Sequence, residues 1–124
     1  MRNNPTSVLI VDDQKFYRSL LEDLLKKEGY KPNSINNGYD AIEEVKKNQH
    51  DIVFLDLHMP EIDGMETLKR IKKIKKDQIV LMVTDRIDVI TVTRFLKEGA
   101  VDYIQKPISD KGLLRALHSA YRKR

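Results

Sequence analysis

Ile52-Val53-Phe54-Leu55-Asp56 sets four apolar side chains in an unbroken row and closes the row on a carboxylate. Such a run, with no polar alternation, suits a strand covered on both faces, as in the parallel sheets of α/β proteins. Val8-Leu9-Ile10-Val11 upstream and Ile79-Val80-Leu81-Met82-Val83 downstream repeat the pattern. Between and around these runs lie stretches of helical period. From Gln14 to Glu28, Tyr17, Leu20, Leu21, Leu24 and Leu25 recur at helical spacing, and Gly29 ends that helix. Tyr30 to Ile35 reads as a weaker strand, and Pro32 within it suits a sheet edge. Asn37-Gly38 marks a turn, after which Ala41, Ile42 and Val45 outline a second helix. Met65, Leu68, Ile71 and Ile74 give a third, with lysines on its other face. Val101 to Gln105 is a final strand, and Ser109 caps a last helix through Leu113, Leu114, Leu117 and Tyr121.

The segment Ile87-Asp88-Val89-Ile90-Thr91-Val92-Thr93 pulls two ways. Its β-branched residues favour strand. The spacing of Val89, Val92 and Leu96, and a place between two strands, favour helix; we read a helix from Ile87 to Glu98 of low intrinsic stability, ended by Gly99. The order is then (βα) five times over, which implies a mostly parallel sheet with helices on both faces.

Size and composition bound what this fold can do. The 124 residues suit one compact domain, and 40% hydrophobic with 34% charged residues is ordinary for a globular protein. No apolar run approaches the ~20 residues that span a bilayer, and the apolar stretch Val8 to Val11 is too short for a signal peptide. The absence of cysteine excludes disulfides and thiolate metal sites. A cytoplasmic location is the simplest expectation. The net charge of +4 raises nucleic acid as a partner class. Much of that charge is local: Lys69, Arg70, Lys72, Lys73, Lys75 and Lys76 lie close together, and Arg122-Lys123-Arg124 closes the sequence. With no aromatics interleaved and no reader motif, a solvated helix face is the better reading. Direct nucleic-acid binding is not expected.

In open parallel sheets, ligands bind beyond the carboxyl ends of the strands. That rule selects Asp12-Asp13 after the first strand, Asp56 at the end of the third, Thr84-Asp85 after the fourth and Lys106-Pro107 after the fifth. Taken singly, each has an ordinary explanation: Asp and Thr cap helices, and Lys sits in solvent. Taken together they form a carboxylate cluster with an amine and a hydroxyl. Clustered carboxylates repel one another and call for a cation, and oxygen ligands without Cys favour a hard ion, Mg²⁺ (or Mn²⁺), over zinc. An Asp can itself be the nucleophile that forms an aspartyl phosphate, while an amine and a hydroxyl bind phosphoryl oxygens. These residue types point to Mg²⁺-dependent phosphoryl chemistry without saying which Asp reacts.

Val8-Leu9-Ile10-Val11-Asp12-Asp13, Asp56-Leu57-His58-Met59-Pro60-Glu61-Ile62-Asp63-Gly64, Thr84, Gly99-Ala100-Val101-Asp102-Tyr103 and Lys106-Pro107 together resemble the receiver domains of two-component response regulators, over roughly residues 6 to 122. The resemblance implies a flavodoxin-like three-layer sandwich with strand order 2-1-3-4-5, residues 1–124 forming a single receiver domain with no output domain present. It implies that Asp56 is the phosphoacceptor, and that Asp12, Asp13, Asp56 and the backbone carbonyl of His58 hold Mg²⁺. It implies that Lys106 pairs with the phosphoryl group and precedes a cis bond to Pro107. Thr84 and Tyr103 would be the switch pair, Thr84 moving to a phosphoryl oxygen and Tyr103 rotating into the space it leaves. The donor would be a phosphohistidine on a histidine kinase or histidine phosphotransfer protein. The output would be the surface of the fourth helix, fifth strand and fifth helix, presented to a downstream protein, a fused output domain or a phosphorylation-dependent second copy. Val101 stands where many winged-helix regulators carry an acidic residue, which speaks against their dimer mode. The family is a self-assisting phosphoacceptor, not a turnover enzyme.

His58, Asp85 and Arg86 occupy tuning positions. Asp85 stands where the family usually has Ala or Gly, and a carboxylate there is expected to repel phosphodonors or narrow access to Asp56. His50 and His118 lack metal-ligand spacing and are expected to be solvent-exposed. A dehalogenase-type hydrolase would need a second Asp two residues after the nucleophile, where this sequence has His58. A nucleotide-binding fold would need a glycine-rich loop after the first strand, and none occurs. The remaining alternative is a receiver-like protein-binding module not regulated by phosphorylation.

Overall fold

The computed structural model describes residues 6–122. Strands and helices alternate: β1 (Ser7–Val11), α1 (Lys15–Lys27), β2 (Lys31–Ile35), α2 (Gly38–Lys47), β3 (Ile52–Asp56), α3 (Gly64–Ile74), β4 (Ile79–Thr84), α4 (Val89–Lys97), β5 (Asp102–Gln105) and α5 (Asp110–Arg122). The strands form one five-stranded sheet in the order β2-β1-β3-β4-β5. Every neighbouring pair is parallel, with Val8 beside Ile52, Ile52 beside Ile79 and Leu81 beside Asp102. The reversal of winding between β1 and β3 opens a crevice at their carboxyl ends, which is where such sheets take ligands. Asp56 is itself the last residue of β3, and Asp12 immediately follows β1.

Alternation along the central strands divides the core in two. Leu9, Val11, Val53, Leu55, Val80 and Met82 pack with Ala41, Ile42 and Val45 of α2, Leu68 and Ile71 of α3, and Phe95 of α4. Val8, Ile10, Ile52, Phe54, Leu81 and Val83 pack with Leu21 and Leu25 of α1 and Leu113, Ala116, Leu117 and Ala120 of α5. At about 1.5–3 kcal/mol for each fully buried aliphatic side chain, these two layers dominate the stability of the fold. Pro32 lies on β2, an edge strand, as its missing N–H requires. Gly29 and Gly99 take φ of +89° and +107° just past α1 and α4, the left-handed geometry that ends a helix.

Four local expectations need correction. Asn37-Gly38 is not a free turn: Asn37 is the N-cap of α2, its side chain accepting from the Asp40 N–H at 2.8 Å, and Gly38 is already helical. The α4 segment is a helix, but its buried anchor is Phe95, with Val92 partly buried; Val89 is 81% exposed and Leu96 is also exposed. Spacing alone did not separate the stripe 92–95 from its neighbours because the helix is apolar on several sides. His50 is buried, its ring bonded to Glu44 Oε2 at 2.7 Å and to the Ser7 hydroxyl at 3.2 Å, which ties α2 to the start of β1. His118 is exposed. The lysines of α3 are not uniformly solvated, since Lys72 Nζ donates to the Gln78 carbonyl at 2.8 Å and burial pulls its pKa down.

Candidate phosphoacceptor site

Asp12, Asp13 and Asp56 meet beyond the ends of β1 and β3, where one carboxylate oxygen from each lies within 4.8 Å of the other two. Asp12 and Asp56 are 1% and 4% exposed, whereas Asp13 is exposed. The first turn of α1 shapes this cluster. The Gln14 N–H donates to Asp12 Oδ1 at 2.9 Å, and the Arg18 guanidinium donates to the Asp12 carbonyl at 2.9 Å. Asp12 Oδ2, also buried, takes no hydrogen bond. Its neighbour of opposite charge is Lys106 Nζ, at 3.1 Å but outside hydrogen-bond geometry.

Lys106 arrives from the end of β5 and the Lys106–Pro107 peptide is cis. Its ammonium donates to Asp56 Oδ1 at 3.0 Å and lies 4.0 Å from the centre of the Tyr17 ring. Burial raises the Asp56 pKa from 3.8 to about 6, the Asp12 charge adds to the rise, and the hydrogen bond from Lys106 opposes it. Burial alone would lower Lys106, but its hydrogen bond to Asp56 and the charges of Asp56 and Asp12 win, and its pKa is raised. A buried carboxylate oxygen without a hydrogen bond, beside two further carboxylates and a single ammonium, is the environment a hard cation relieves. All-oxygen donors on Asp12, Asp13 and Asp56 fit Mg²⁺.

Gly64 starts α3 directly beneath this site. Its N–H donates to the Leu57 carbonyl at 2.8 Å, and a Cβ there would collide with the Asp56 carbonyl oxygen and the Leu57 Cα. The glycine is therefore required by close backbone approach. Asp63 caps the same helix, accepting from Glu66 N–H at 2.9 Å.

The other expected residues lie around this centre. Thr84 is 1% exposed at the end of β4, and its hydroxyl accepts from the Arg86 N–H at 2.9 Å. The Thr84 carbonyl accepts from the Lys106 N–H at 2.8 Å, joining the two strand ends. Tyr103 is half-buried on β5, edge-on to Phe95 at 6.4 Å, with the Arg115 guanidinium 5.4 Å from its ring centre. His58 and Asp85 face each other at 3.8 Å across a cavity of about 350 Å³ that is also lined by Gln14, Tyr17, Asp56, Lys106 and Pro107. Arg86 is exposed and meets Thr84 through its backbone.

A larger cavity of about 1130 Å³ opens at the amino ends of β3, β4 and β5, lined by Lys72, Lys75, Asp77 and their neighbours. Among the described residues the metal-capable acidic cluster is not there but at the carboxyl ends. Sequence reasoning passed over Gln14, Tyr17 and Arg18 as site residues. The rule that selected the strand ends extends to the first turn of the helix that follows, and would have pointed to them.

Residues 8–118 match the response regulator receiver domain family, and the chain belongs to it. It is a two-component signalling domain, a phosphoacceptor rather than a turnover enzyme. The chemotaxis protein CheY of Thermotoga maritima is 36% identical over 112 residues, 90% of this chain and 93% of that protein. The transcriptional regulatory protein ZraR of Klebsiella oxytoca is 38% identical over 120 residues, 97% of this chain but only 27% of that protein. The chain thus spans about a quarter of the length of the ZraR regulators it matches. Among solved structures, the CheX–CheY–BeF₃–Mg²⁺ complex of Borrelia burgdorferi superposes with a TM-score of 0.92 at 30% identity, covering 95% of this chain and 90% of that one. No helix among the described residues is long and apolar enough to cross a membrane.

Proposed function

We propose that this domain takes a phosphoryl group from a phosphohistidine onto Asp56 in a Mg²⁺-dependent reaction and relays that state to a partner protein in the cytoplasm. The observation that carries this reading is the buried Asp12 oxygen without a hydrogen bond, set among Asp56, Asp13 and Lys106. With Asp56 near pKa 6 the carboxylate is ionised at neutral pH and competent as a nucleophile. Lys106 engages Oδ1, leaving Oδ2 to attack phosphorus; the new P–O bond forms as the donor's P–N bond breaks, and the imidazole departs with the electron pair. Asp12, Asp13, Asp56 and the His58 carbonyl would hold Mg²⁺, which supplies neutralising charge for the phosphoryl oxygens.

The switch then follows from differential contact. The Thr84 hydroxyl is engaged with the Arg86 backbone and must leave it to reach a phosphoryl oxygen. Its departure frees space toward which Tyr103 turns, changing the surface of α4, β5 and α5. Val89 and Ile90, 81% and 74% exposed on α4, are available to a partner there. The donor is a histidine kinase or histidine phosphotransfer protein, and the receiver of the signal is a separate protein, a fused output domain or a second copy.

Intact-protein mass after incubation with acetyl phosphate and Mg²⁺ tests the reading. One added phosphoryl group, absent in Asp56→Asn and in chelator, supports it. An unmodified but folded, Mg²⁺-binding protein, and an unmodified Asp85→Ala variant beside it, would favour a binding module without regulated phosphorylation. Asp85 at the mouth of the cavity is the residue that favours this second reading.

A further inference from the structure

Among the described residues, the Lys106 ammonium faces Asp56 Oδ1 at 3.0 Å, Asp12 Oδ2 at 3.1 Å and the Tyr17 ring at 4.0 Å. Its side chain is 11% exposed, so water contributes little to holding it. Two of these neighbours are carboxylates that a divalent cation and a phosphoryl group would also claim. A cation held by Asp12 and Asp56 draws on the same oxygens that now face the ammonium. The aromatic face is different: its attraction for a cation comes from the ring quadrupole and is unaffected by which ions occupy the carboxylates. Tyr17 reaches this place from the first turn of α1, which the Gln14 and Arg18 bonds to Asp12 fasten to the end of β1. The half-buried ring also forms part of the cavity wall leading to Asp56.

We propose that Tyr17 is a positioning residue: its ring face holds the Lys106 ammonium in place while metal and phosphoryl group take over the carboxylates. This rests on the phosphoacceptor reading of Asp56. The ring, not the hydroxyl, is the active part, because the contact is ammonium to ring centre.

The test compares the rate of phosphoryl uptake from phosphoramidate and Mg²⁺ in the parent protein, Tyr17→Phe and Tyr17→Leu, with each substitution repeated on Lys106→Met. The expected result is a Tyr17→Phe rate within about twofold of the parent and a Tyr17→Leu rate lower by about 3- to 10-fold, the range of a partly desolvated cation–π contact. On Lys106→Met, Tyr17→Leu changes nothing further. A second readout does not depend on uptake. The protons of the Lys106 ε-methylene, which is bonded to an ammonium 4.0 Å from the ring centre, should show an upfield shift in carbon-resolved NMR, present in Tyr17→Phe, lost in Tyr17→Leu and retained when Mg²⁺ and beryllofluoride are added. Equal slowing in Tyr17→Phe and Tyr17→Leu, a Tyr17→Leu effect that survives Lys106→Met, or disappearance of the shift on adding Mg²⁺ each overturns the proposal. A parent protein that takes no phosphoryl group overturns the reading of Asp56 instead, an outcome visible before any variant is compared.

Discussion

Replacing Asp56 with Asn is expected to stabilise the metal-free protein at neutral pH, although it abolishes the nucleophile. Burial and the charge of Asp12 raise the Asp56 pKa from 3.8 to about 6. The native state therefore binds this proton more tightly than the unfolded chain does. The associated stabilisation is complete below pH 3.8 and is lost as pH rises through about 6. At pH 8 the ionised carboxylate costs the native state up to about 3 kcal/mol, at about 1.4 kcal/mol for each pH unit between the two values. Asn carries no charge and removes most of that cost, in which the opposing hydrogen bond from Lys106 at 3.0 Å is already counted; imperfect replacement of the acid's hydrogen bonding by the amide leaves a gain of about 1–2 kcal/mol. For a domain of this size the melting temperature rises by about 5 °C. The assay is urea unfolding of both proteins in chelator at pH 8 and pH 4. At pH 4 the parent's Asp56 is already protonated in the native state and the difference contracts to below about 0.5 kcal/mol. Saturating Mg²⁺ at pH 8 reverses the order, since a ligand at about 100 times its Kd adds about 2.7 kcal/mol to the protein that binds it. A variant no more stable than the parent at pH 8 in chelator, or an advantage unchanged at pH 4, would refute the electrostatic reasoning.

Three further outcomes are expected. Asp85→Ala removes a carboxylate from the mouth of the cavity, and acetyl phosphate should modify the protein about two- to fivefold faster; an unchanged or slower rate by intact mass sinks that role. Gly64→Ala forces a Cβ into the Asp56 carbonyl and the Leu57 Cα, costing about 3 kcal/mol in urea unfolding, and a neutral substitution would show that the two backbones are not locked together. His50→Leu keeps bulk but forfeits the bonds to Glu44 and Ser7, a loss of about 1–2 kcal/mol. The hydrogen bond from His50 holds the Glu44 carboxyl below its ordinary 4.5, so that residue's share is present above pH 4.5 and fades as pH falls below it; a His50→Leu deficit that grows on acidification would contradict the assignment.

The sequence by itself determined the fold and picked out acidic residues and a lysine that converge at the strand ends. Short unbroken runs such as Ile52–Leu55 suit strands covered on both faces, and helical periods between them leave a parallel doubly wound sheet as the consistent arrangement. The strand-end rule then gathered Asp12, Asp13, Asp56, Thr84 and Lys106 without any contact being known. What only the tertiary structure decided was which side chain meets which. Tyr17 is one more apolar position in the helical pattern of α1 until packing sets its ring on Lys106. His50 resembles a surface residue until Glu44 and Ser7 close around it, and α4 offers several apolar faces until Phe95 is chosen by the sheet beneath. The reason is one of range. Periodicity and strand ends are written in neighbours along the chain, whereas the raised Asp56 pKa comes from desolvation and from charges that only folding brings within a few ångströms.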